Sequence, residues 1–389
     1  MPPNPARLFS KKQMTTSTSA SPIARLIAFY LPQFYPIPEN DLWWGNGFTE
    51  WTNVTRAKPL FPGHRQPNLP GDLGLYDLRV PEVREAQANL ARAYGIEGFC
   101  YWHYWLGDGR RLLDRVFNEV LESGNPDFPF CLAWANHDWN RAWHGEKYHI
   151  LVEQKYPGEE DHRNHFKFLL RAFQDPRYIR IDGKPIFILF RPEELPQSKE
   201  VIALWKGMAV EAGLPGLFIP GISEVDVSLD KYGCDARIPG EPGIFWRLKA
   251  RSSVSTAPQS QAFRFVNKFW NKLRAKIPFP QISSYKRKAK LYVNLPPCDS
   301  KTFPCVVPNW DNTPRSGTRG TLFPDATPEL YRMVLRKAIA DVVNRPPDHR
   351  LVLLKSWNEW AEGNHLEPDQ RFGHEFLKVT KEEVFRMVP

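Results

Sequence analysis

Eight short apolar runs recur along the 389-residue chain, and longer segments of helical periodicity lie between most of them. This alternation is typical of repeated strand–helix units arranged around a parallel sheet. It predicts an α/β fold, a (β/α)8 TIM-like barrel. The runs predicted as strands are Leu26–Tyr30, Gly98–His103, Phe130–Ala135, Pro185–Phe190, Leu217–Gly221, Ala236–Ile238, Cys305–Pro308 and Leu351–Ser356.

The segments between the runs carry ordinary helix signals. Pro81 lies near the start of the first segment, where a helix tolerates proline, and Gly95 follows its end. No Gly-x-Gly-x-x-Gly motif follows the first run, so the sequence does not support a dinucleotide-binding sheet. The predicted helices are Arg79–Tyr94, Leu112–Ser123, Asp161–Phe173, Lys199–Ala212 and Pro328–Asn344.

A chain of this length can form one barrel domain that carries insertions. We expect a disordered tail over residues 1–22, a catalytic barrel over 23–389, and a basic insertion over 244–292 before the seventh strand. The stretch from Ile244 to Lys290 contains twelve Lys or Arg and no Asp or Glu, which accounts for the net charge of +9. The rest of the chain is mildly acidic, so a general nucleic-acid-binding role is not expected.

Apolar residues at positions 265, 266, 269, 270 and 273 of this insertion fall on one face of a helix, and basic residues occupy much of the remainder. Such a helix is typical of peripheral contact with a membrane or a lipid-linked glycan. It is also typical of a surface helix whose aromatic face packs on the barrel, which is the interpretation we favour.

Cysteine usage and the N-terminal segment bear on location. Five cysteines, an odd number without paired spacing, indicate free thiols in a reducing compartment. Residues 1–21 lack the apolar run of a signal peptide, and no stretch is long and apolar enough to span a bilayer. We therefore expect a cytoplasmic protein. No zinc-type spacing occurs, and we expect neither a metal nor a cofactor.

Aromatic and polar side chains follow nearly every predicted strand, at the edge where a barrel of this kind carries its reactive groups. Aromatic rings stack on sugar faces and polar side chains bind hydroxyls, so we expect an oligosaccharide or polysaccharide substrate. Taken singly, each polar residue could instead satisfy loop backbone. Glu224 and Glu241 follow the fifth and sixth runs. The candidate substrate-binding residues are Tyr30, Gln33, Trp43, Trp44, Trp102, His103, Trp134, Asn136, His137, Asp138, Arg191, Trp310, Asp311, Trp357, Asn358, Trp360 and Glu367.

The eighth run leads into Ser356-Trp357-Asn358-Glu359-Trp360-Ala361-Glu362-Gly363, whose glutamates are the candidate catalytic residues. One carboxyl group would have to keep its proton near neutral pH while the other stays ionised, and the neighbouring tryptophans favour such a division by desolvation. Glutamates three residues apart are also common on exposed helices, so the spacing alone does not decide. The position after the last strand favours catalysis.

Several long motifs occur in order between Ile23 and Leu377, and together they resemble the WbsX family, described as glycosyltransferases of polysaccharide gene clusters. That family is itself similar to glycoside hydrolase family 99. The motifs are Ile27-Ala28-Phe29-Tyr30-Leu31-Pro32-Gln33-Phe34, Trp43-Trp44-Gly45-Asn46-Gly47-Phe48-Thr49-Glu50-Trp51-Thr52-Asn53-Val54, Pro70-Gly71-Asp72-Leu73-Gly74, Gly98-Phe99-Cys100-Tyr101-Trp102-His103-Tyr104-Trp105, Pro308-Asn309-Trp310-Asp311-Asn312-Thr313-Pro314 and Trp357-Asn358-Glu359-Trp360-Ala361-Glu362-Gly363-Asn364.

Family 99 contains retaining endo-α-mannosidases, and Glu359 and Glu362 match the two glutamates of its Asn-Glu-Trp-x-Glu-Gly core. The resemblance implies that Glu359 is the base on the 2-hydroxyl of the sugar, so that O2 attacks the anomeric carbon to give a 1,2-anhydro sugar. It implies that Glu362 protonates the leaving oxygen and later activates water, an exception to the usual carboxylate nucleophile.

Three functions remain open on the sequence. The first is a glycosidase-type enzyme that uses the two glutamates. The second is a WbsX-type glycosyltransferase in O-antigen or capsule biosynthesis, although neither an Asp-x-Asp motif at a plausible site nor a Gly-rich phosphate loop is found. The third is a non-catalytic glycan-binding barrel, which the retention of both glutamates and the surrounding tryptophans disfavours.

Overall fold

The computed structural model describes residues 21–141, 146–223, 229–240 and 279–387, and a parallel sheet curled into a barrel forms its centre. The strands β1 to β8 are, in chain order, Arg25–Tyr30, Gly98–Trp105, Phe130–Trp134, Phe187–Leu189, Pro220–Ser223, Ala236–Pro239, Cys305–Val306 and Leu351–Leu354. Neighbouring strands follow the order β6-β5-β4-β3-β2-β1-β8-β7, and every pair in this path is parallel.

Two backbone hydrogen bonds nearly close the barrel between β6 and the segment that leads into β7. The amide of Arg237 donates to the carbonyl of Lys301 at 2.7 Å, and the amide of Phe303 donates to the carbonyl of Arg237 at 2.9 Å. The predicted TIM-like α/β architecture is therefore confirmed. All eight strands lie within or beside the predicted runs.

Local pairing accounts for the strand ends that differ from prediction. The strand β2 runs on to Trp105 because its end pairs antiparallel with Arg111–Leu112. The strand β4 begins late because Lys184–Pro185 pairs instead with Arg180–Ile181. Side chains of such short segments carry no signal that separates one pairing partner from another.

Ten helices accompany the strands in the described residues, and the five predicted helices are among them with ends shifted by a few residues. The other five lie in loops or after the last strand, where the alternation of strands and helices does not predict a helix. The helices α1 to α10 are Pro38–Trp44, Glu50–Arg56, Pro81–Ala93, Arg115–Ser123, Glu159–Phe173, Ser198–Glu211, Tyr285–Val293, Thr313–Ser316, Pro328–Val342 and Glu375–Val384.

Short elements decorate the loops. The remaining ladders pair Trp139–Arg141 with Glu146–Val152, Gln281–Ile282 with Thr321–Leu322, and Asn358–Glu359 with Asn364–His365. The 3-10 helices are Pro192–Glu194, Asp230–Tyr232, Gly317–Arg319, Pro347–His349 and Trp360–Glu362.

Much of the predicted basic insertion, including its helix at 265–273, lies outside the described residues, as do Glu224, Glu241 and residues 1–20 of the predicted tail. The described end of the insertion contains α7, which buries Tyr285, Ala289 and Tyr292 and packs against α9. Its exposed face carries Lys286, Arg287 and Lys290.

The five cysteines are all free thiols, and four of them are buried. Within the described ranges, no helix is long and apolar enough to cross a membrane. The cytoplasmic location stays a prediction.

A buried histidine pair lies between the barrel and α5. The Nε2 atoms of His103 on β2 and His165 on α5 are 2.9 Å apart, so one ring donates to the other. The rings of Trp105 and Trp134 pack against His165 with centroids 4.5 and 4.7 Å away. Burial and the charge of Arg111 lower the pKa of His103 to about 3, and burial together with His103 lowers the pKa of His165. Both rings are therefore neutral in the folded protein.

This pair predicts acid sensitivity of the fold. Between pH 6.5 and about 3 the unfolded chain binds protons that the folded His103 refuses, so stability is fully present above pH 6.5 and is lost as the pH falls. At pH 5 the loss from His103 is about 2 kcal/mol. Replacing both rings, in His103→Leu with His165→Leu, should flatten the dependence of the free energy of unfolding on pH between 7 and 5, measured by urea unfolding. Equal slopes in the two proteins would contradict this account.

Candidate active site

The two candidate glutamates lie on a tight turn that follows β8. Glu359 ends the short strand Asn358–Glu359, and Glu362 closes the 3-10 helix Trp360–Glu362. Glu359 immediately precedes this helix, and a hydrogen bond between the two carboxyl groups contributes to the pKa shifts of both. The backbone then leaves through Gly363, whose φ of +56° favours glycine. A Cβ at that position would lie 2.9 Å from the amide nitrogen of Asp311.

Glu359 is buried and is surrounded by donors. Its Oε1 accepts hydrogen bonds from Lys355 Nζ at 2.6 Å and from Trp102 Nε1 at 2.9 Å. Burial alone would raise the pKa of this carboxyl group, but the charge of Lys355, the hydrogen bond from Glu362 and the charge of Arg315 outweigh burial and lower it. Glu359 is therefore the ionised member of the pair.

Glu362 is held in the opposite state. Burial and the adjacent charge of Glu359 raise its pKa to about 8, against the opposing charge of Arg315. The Nη1 atom of Arg315 donates to Glu362 Oε1 at 2.7 Å. Glu362 therefore keeps its proton at neutral pH, and it donates that proton towards Glu359.

A third carboxylate, Glu50 at the start of α2, completes the charge arrangement. Its Oε1 accepts from Arg315 Nη2 at 2.6 Å and from the amide of Ala361 at 2.9 Å, so it fixes both the guanidinium and the glutamate turn. Two cations, Lys355 and Arg315, thus contact three carboxyl groups. The charges balance when one of the three is protonated, which agrees with a neutral Glu362.

The sequence analysis did not select Glu50, Lys355 or Arg315. Glu50 lies inside a quoted motif, Arg315 directly follows another, and Lys355 immediately precedes the glutamate segment. A search for cations near these motifs would have found Lys355 and Arg315. Nothing in the sequence indicates that they contact the same pair of glutamates.

The predicted substrate-binding residues divide into three groups. Those nearest the pair or at the half-buried mouth of the barrel are Gln33, Trp43, Trp44, Trp102, His137, Asp138, Arg191 and Asp311. Those that brace the loops are Asn136, Asn358 and Trp360. Those that are buried elsewhere are Tyr30, His103, Trp134, Trp310, Trp357 and Glu367.

Several mouth residues already have protein partners. Trp43 packs on Trp139, with ring centroids 5.8 Å apart, and Trp139 packs on Tyr104 at 5.0 Å. The Nδ1 atom of His137 is 2.8 Å from the carbonyl oxygen of Asp138. The rings of Trp43, Trp139 and Tyr104 form an aromatic wall close to the pair, since burial and the charge of Glu359 raise the pKa of Tyr104. Half-buried rings of this kind can stack on a sugar.

Two of the selected residues act between loops. Asn136 donates to the carbonyl of Arg191 at 2.8 Å and accepts from its amide at 2.9 Å. Asn358 does the same for Leu31, accepting at 2.8 Å and donating at 3.0 Å. Each side chain therefore replaces a missing backbone partner at a strand end.

Glu367 is buried between the glutamate turn and α3. Its carboxylate accepts from Tyr76 at 2.8 Å, from Gln87 at 2.6 Å and from Trp360 at 2.6 Å, and Tyr30 donates to Gln87 at 2.7 Å. Burial raises the pKa of Glu367 to about 7 against these hydrogen bonds. In this position it supports the turn that carries the pair.

His103 and Trp134 lie in the layer between the sheet and α5, as described above. Trp310 is buried beside Asp311, whose Oδ2 accepts from Gln66 at 2.8 Å and lies 2.9 Å from His64 Nε2. Among the described residues, no group of three or more His, Cys, Asp or Glu could hold a metal ion.

Comparison with known proteins finds a matching family and a related sequence. The family model described as Glycosyltransferase WbsX matches residues 26–380. An uncharacterized protein WxcX of Xanthomonas campestris pv. campestris strain B100 is 36% identical over 374 residues, which are 96% of this chain and 51% of that protein. The chain thus spans about half the length of this curated relative.

Two solved structures are similar in fold. A glycoside hydrolase-like protein superposes with a TM-score of 0.55 at 15% identity, covering 97% of this chain and 98% of that one. A GH99 endo-alpha-mannosidase from Bacteroides thetaiotaomicron, in complex with BIS-TRIS-propane, superposes with a TM-score of 0.54 at 15% identity, covering 93% and 97%. These identities support likeness of fold alone.

The charge arrangement predicts the effect of removing Arg315. Arg315→Met should lower the free energy of unfolding by about 3 kcal/mol, because it leaves the buried carboxylate of Glu50 without its cation. Adding Glu50→Gln should recover part of that loss. Urea unfolding followed by tryptophan fluorescence measures both effects. The control is Arg163→Met, which breaks an exposed ion pair with Glu159 and should cost about 1 kcal/mol or less. An Arg315→Met protein as stable as the control would contradict the arrangement.

Proposed function

Because the chain belongs to the WbsX glycosyltransferase family, we propose that it is a carbohydrate-active enzyme that acts on a glycosidic bond through Glu359 and Glu362. The observation that carries the proposal is the division of one proton between two buried carboxyl groups. The pKa of Glu359 is lowered and that of Glu362 is raised, by neighbours that differ for each. A base and an acid side by side are what acid–base chemistry at an acetal requires.

The contact between the two carboxyl groups bears on the mechanism. A retaining enzyme with a carboxylate nucleophile separates its two groups by about 5 Å, to hold the anomeric carbon between them. Here they are within hydrogen-bond reach of each other. This supports attack by the sugar's own O2, since Glu359 then needs to contact a hydroxyl proton rather than the anomeric carbon.

In the first step, Glu359 takes the proton of the 2-hydroxyl while O2 forms a bond to the anomeric carbon. The bond from that carbon to the leaving oxygen breaks, and the leaving oxygen takes the proton of Glu362. The products are a 1,2-anhydro sugar, a protonated Glu359 and an ionised Glu362. The ammonium group of Lys355, 2.6 Å from Glu359, stabilises the ionised form of Glu359 before this step. After the step Glu359 is neutral, so this stabilisation is smaller.

In the second step, Glu362 takes a proton from water as the water oxygen bonds to the anomeric carbon. The bond from that carbon to O2 breaks, and O2 recovers a proton from Glu359. Both glutamates return to their first state. Two inversions give retention of configuration.

Glycosyl transfer is the second candidate, and the description of the matching family as a glycosyltransferase favours it. The same residues would act if an acceptor hydroxyl replaced water in the second step. Lys286, Arg287 and Lys290 of α7 form a basic surface that suits a lipid-linked sugar. This surface belongs to the insertion for which the sequence predicts peripheral contact with a membrane or a lipid-linked glycan. The two functions differ in acceptor and share the proton transfers.

Conservative substitution tests the roles of the pair. Glu359→Gln should abolish turnover of all substrates, because no base remains for the 2-hydroxyl. Glu362→Gln should reduce turnover of natural glycans by about 100-fold or more, but should retain release of dinitrophenol from aryl glycosides, which need little acid. The assay uses polysaccharides and aryl α- and β-glycosides, with and without added nucleotide- or lipid-linked sugar donors.

The matched control is Glu383→Gln, a buried glutamate on α10 that pairs with Arg336 away from the site. Turnover only when a donor and an acceptor are both supplied would identify the transferase. Glycan binding without turnover, unchanged in both site variants, would refute the enzyme and support a binding module. A 2-deoxy substrate that turns over normally would exclude the anhydro sugar.

The pH profile tests the proton assignment. Activity requires Glu362 protonated, so kcat/KM should fall as the pH rises through about 8, the raised pKa of that group. Glu359 must be ionised, and its lowered pKa leaves it so throughout the weakly acidic range. The profile should therefore lack a descending limb near pH 4.5, after correction for unfolding. In Glu362→Gln, release of dinitrophenol should lose the alkaline limb. An alkaline limb that survives in this variant would assign it to another group.

A further inference from the structure

A pocket lies beside the glutamate turn, among the loops that follow β1, β7 and β8. Its volume is about 310 Å³, and its wall includes Arg65, Asn309, Asp311, Gln370 and Arg371. The phenyl rings of Phe323 and Phe372 also line it. It is large enough for one or two sugar rings, and its wall combines cations, amides and aromatic rings.

Two arginines of this wall lack an ion-pair partner among the described residues. Arg65 and Arg371 are both exposed, and in the described part of the chain neither forms an ion pair with a carboxylate. The guanidinium of Arg371 lies over the ring of Phe372, 4.3 Å from its centroid. Burial and the charge of Arg65 lower the pKa of Arg371, against the opposing charge of Asp369. The two cations therefore repel each other across a shared space.

The two acids of the wall are already engaged. Asp311 accepts from Gln66 and Thr313 and contacts His64. Asp369 is buried, and its Oδ1 accepts from the amide of Arg371 at 2.9 Å. Their acceptor positions are taken up by the loops, so neither carboxylate forms an ion pair with Arg65 or Arg371, although the charge of Asp369 partly offsets that of Arg371.

The pocket adjoins the backbone of the turn that carries the glutamate pair. Gly363 follows Glu362 in the chain and lines the pocket. The amide of Asp311, another wall residue, donates to the carbonyl of Glu362 at 2.6 Å. A glycan bound at the pair that extends past Gly363 would place its next group here.

We propose that this pocket binds an anionic group of the glycan substrate, a carboxylate or a phosphate, through Arg65 and Arg371. Guanidinium groups bind both anions in bidentate fashion, and the amides of Asn309 and Gln370 suit neighbouring hydroxyls. The assignment rests on the proposed function only in identifying the anion as part of a glycan. A carboxylate would come from an acidic sugar, whereas a phosphate would come from an activated donor.

The experiment measures binding by titration calorimetry at fixed ionic strength. The probes are an oligogalacturonate, its neutral methyl ester and inorganic pyrophosphate. The proteins are the wild type, Arg65→Gln with Arg371→Gln, and the control Arg163→Gln with Arg171→Gln, which removes two exposed arginines from α5. All three proteins contain residues 1–389, and the substituted side chains are exposed, so the folds should be preserved.

The double variant of the pocket should bind at least one anionic probe about tenfold or more weakly than the wild type, while the control does not. Weakened binding of the oligogalacturonate but not of its ester identifies an acidic sugar. Weakened binding of pyrophosphate alone identifies a phosphate. Equal binding of both anions by the wild type and the pocket variant, or loss equal to that of the control, would overturn the proposal.

A failure of the proposed catalytic function can be distinguished from a failure of the proposed anion-binding site. Glu359→Gln should keep wild-type affinity for the anionic probe, since the base does not line the pocket. If Glu359→Gln retained activity, the catalytic assignment would fail while the anion-binding result stood. If Glu359→Gln were inactive and the pocket variant bound the anionic probes as the wild type does, only the anion-binding proposal would be refuted.

Discussion

Parallel pairing of β1 with β8 is the constraint on which the site depends. Residues 25–28 pair with residues 351–354, so segments more than three hundred positions apart leave the barrel at one edge. Asn358 then bonds to both backbone groups of Leu31, fixing the turn against the end of β1. This pairing brings the glutamates to the loop after β1, and the parallel pairing of β7 with β8 brings them to the loop after β7.

Once assembled, the site is governed by unequal neighbours. Both glutamates are buried, and burial alone would favour the protonated form of each. Lys355 forms an ion pair with Glu359, whereas the guanidinium of Arg315 is shared between Glu362 and Glu50. The first carboxyl group therefore obtains the larger part of the positive charge and ionises. The second retains the proton.

The family and the fold together do not decide whether a glycosidic bond is hydrolysed or formed. The matching family is described as a glycosyltransferase, while the structures similar in fold include an endo-alpha-mannosidase. Breaking and making a glycosidic bond share their proton transfers, so one charge arrangement serves either. The choice between water and a sugar acceptor belongs to the surroundings of the pair, where the half-buried tryptophans and the arginine pocket lie.

The sequence by itself determined the barrel and the position of the candidate glutamate pair. Apolar runs alternating with helical segments require a parallel sheet covered by helices, and residues after the last strand must lie at its reactive edge. It did not determine which polar strand-end residues reach the mouth: His103, Trp134 and Glu367 are similar in sequence context to Trp102, yet they face the helix layer or are buried beside α3. Nor did it find Glu50, Lys355 and Arg315, because their contacts join separate loops. Only the tertiary structure decides such contacts, since the burial and charge that set a proton's position come from residues distant in the chain.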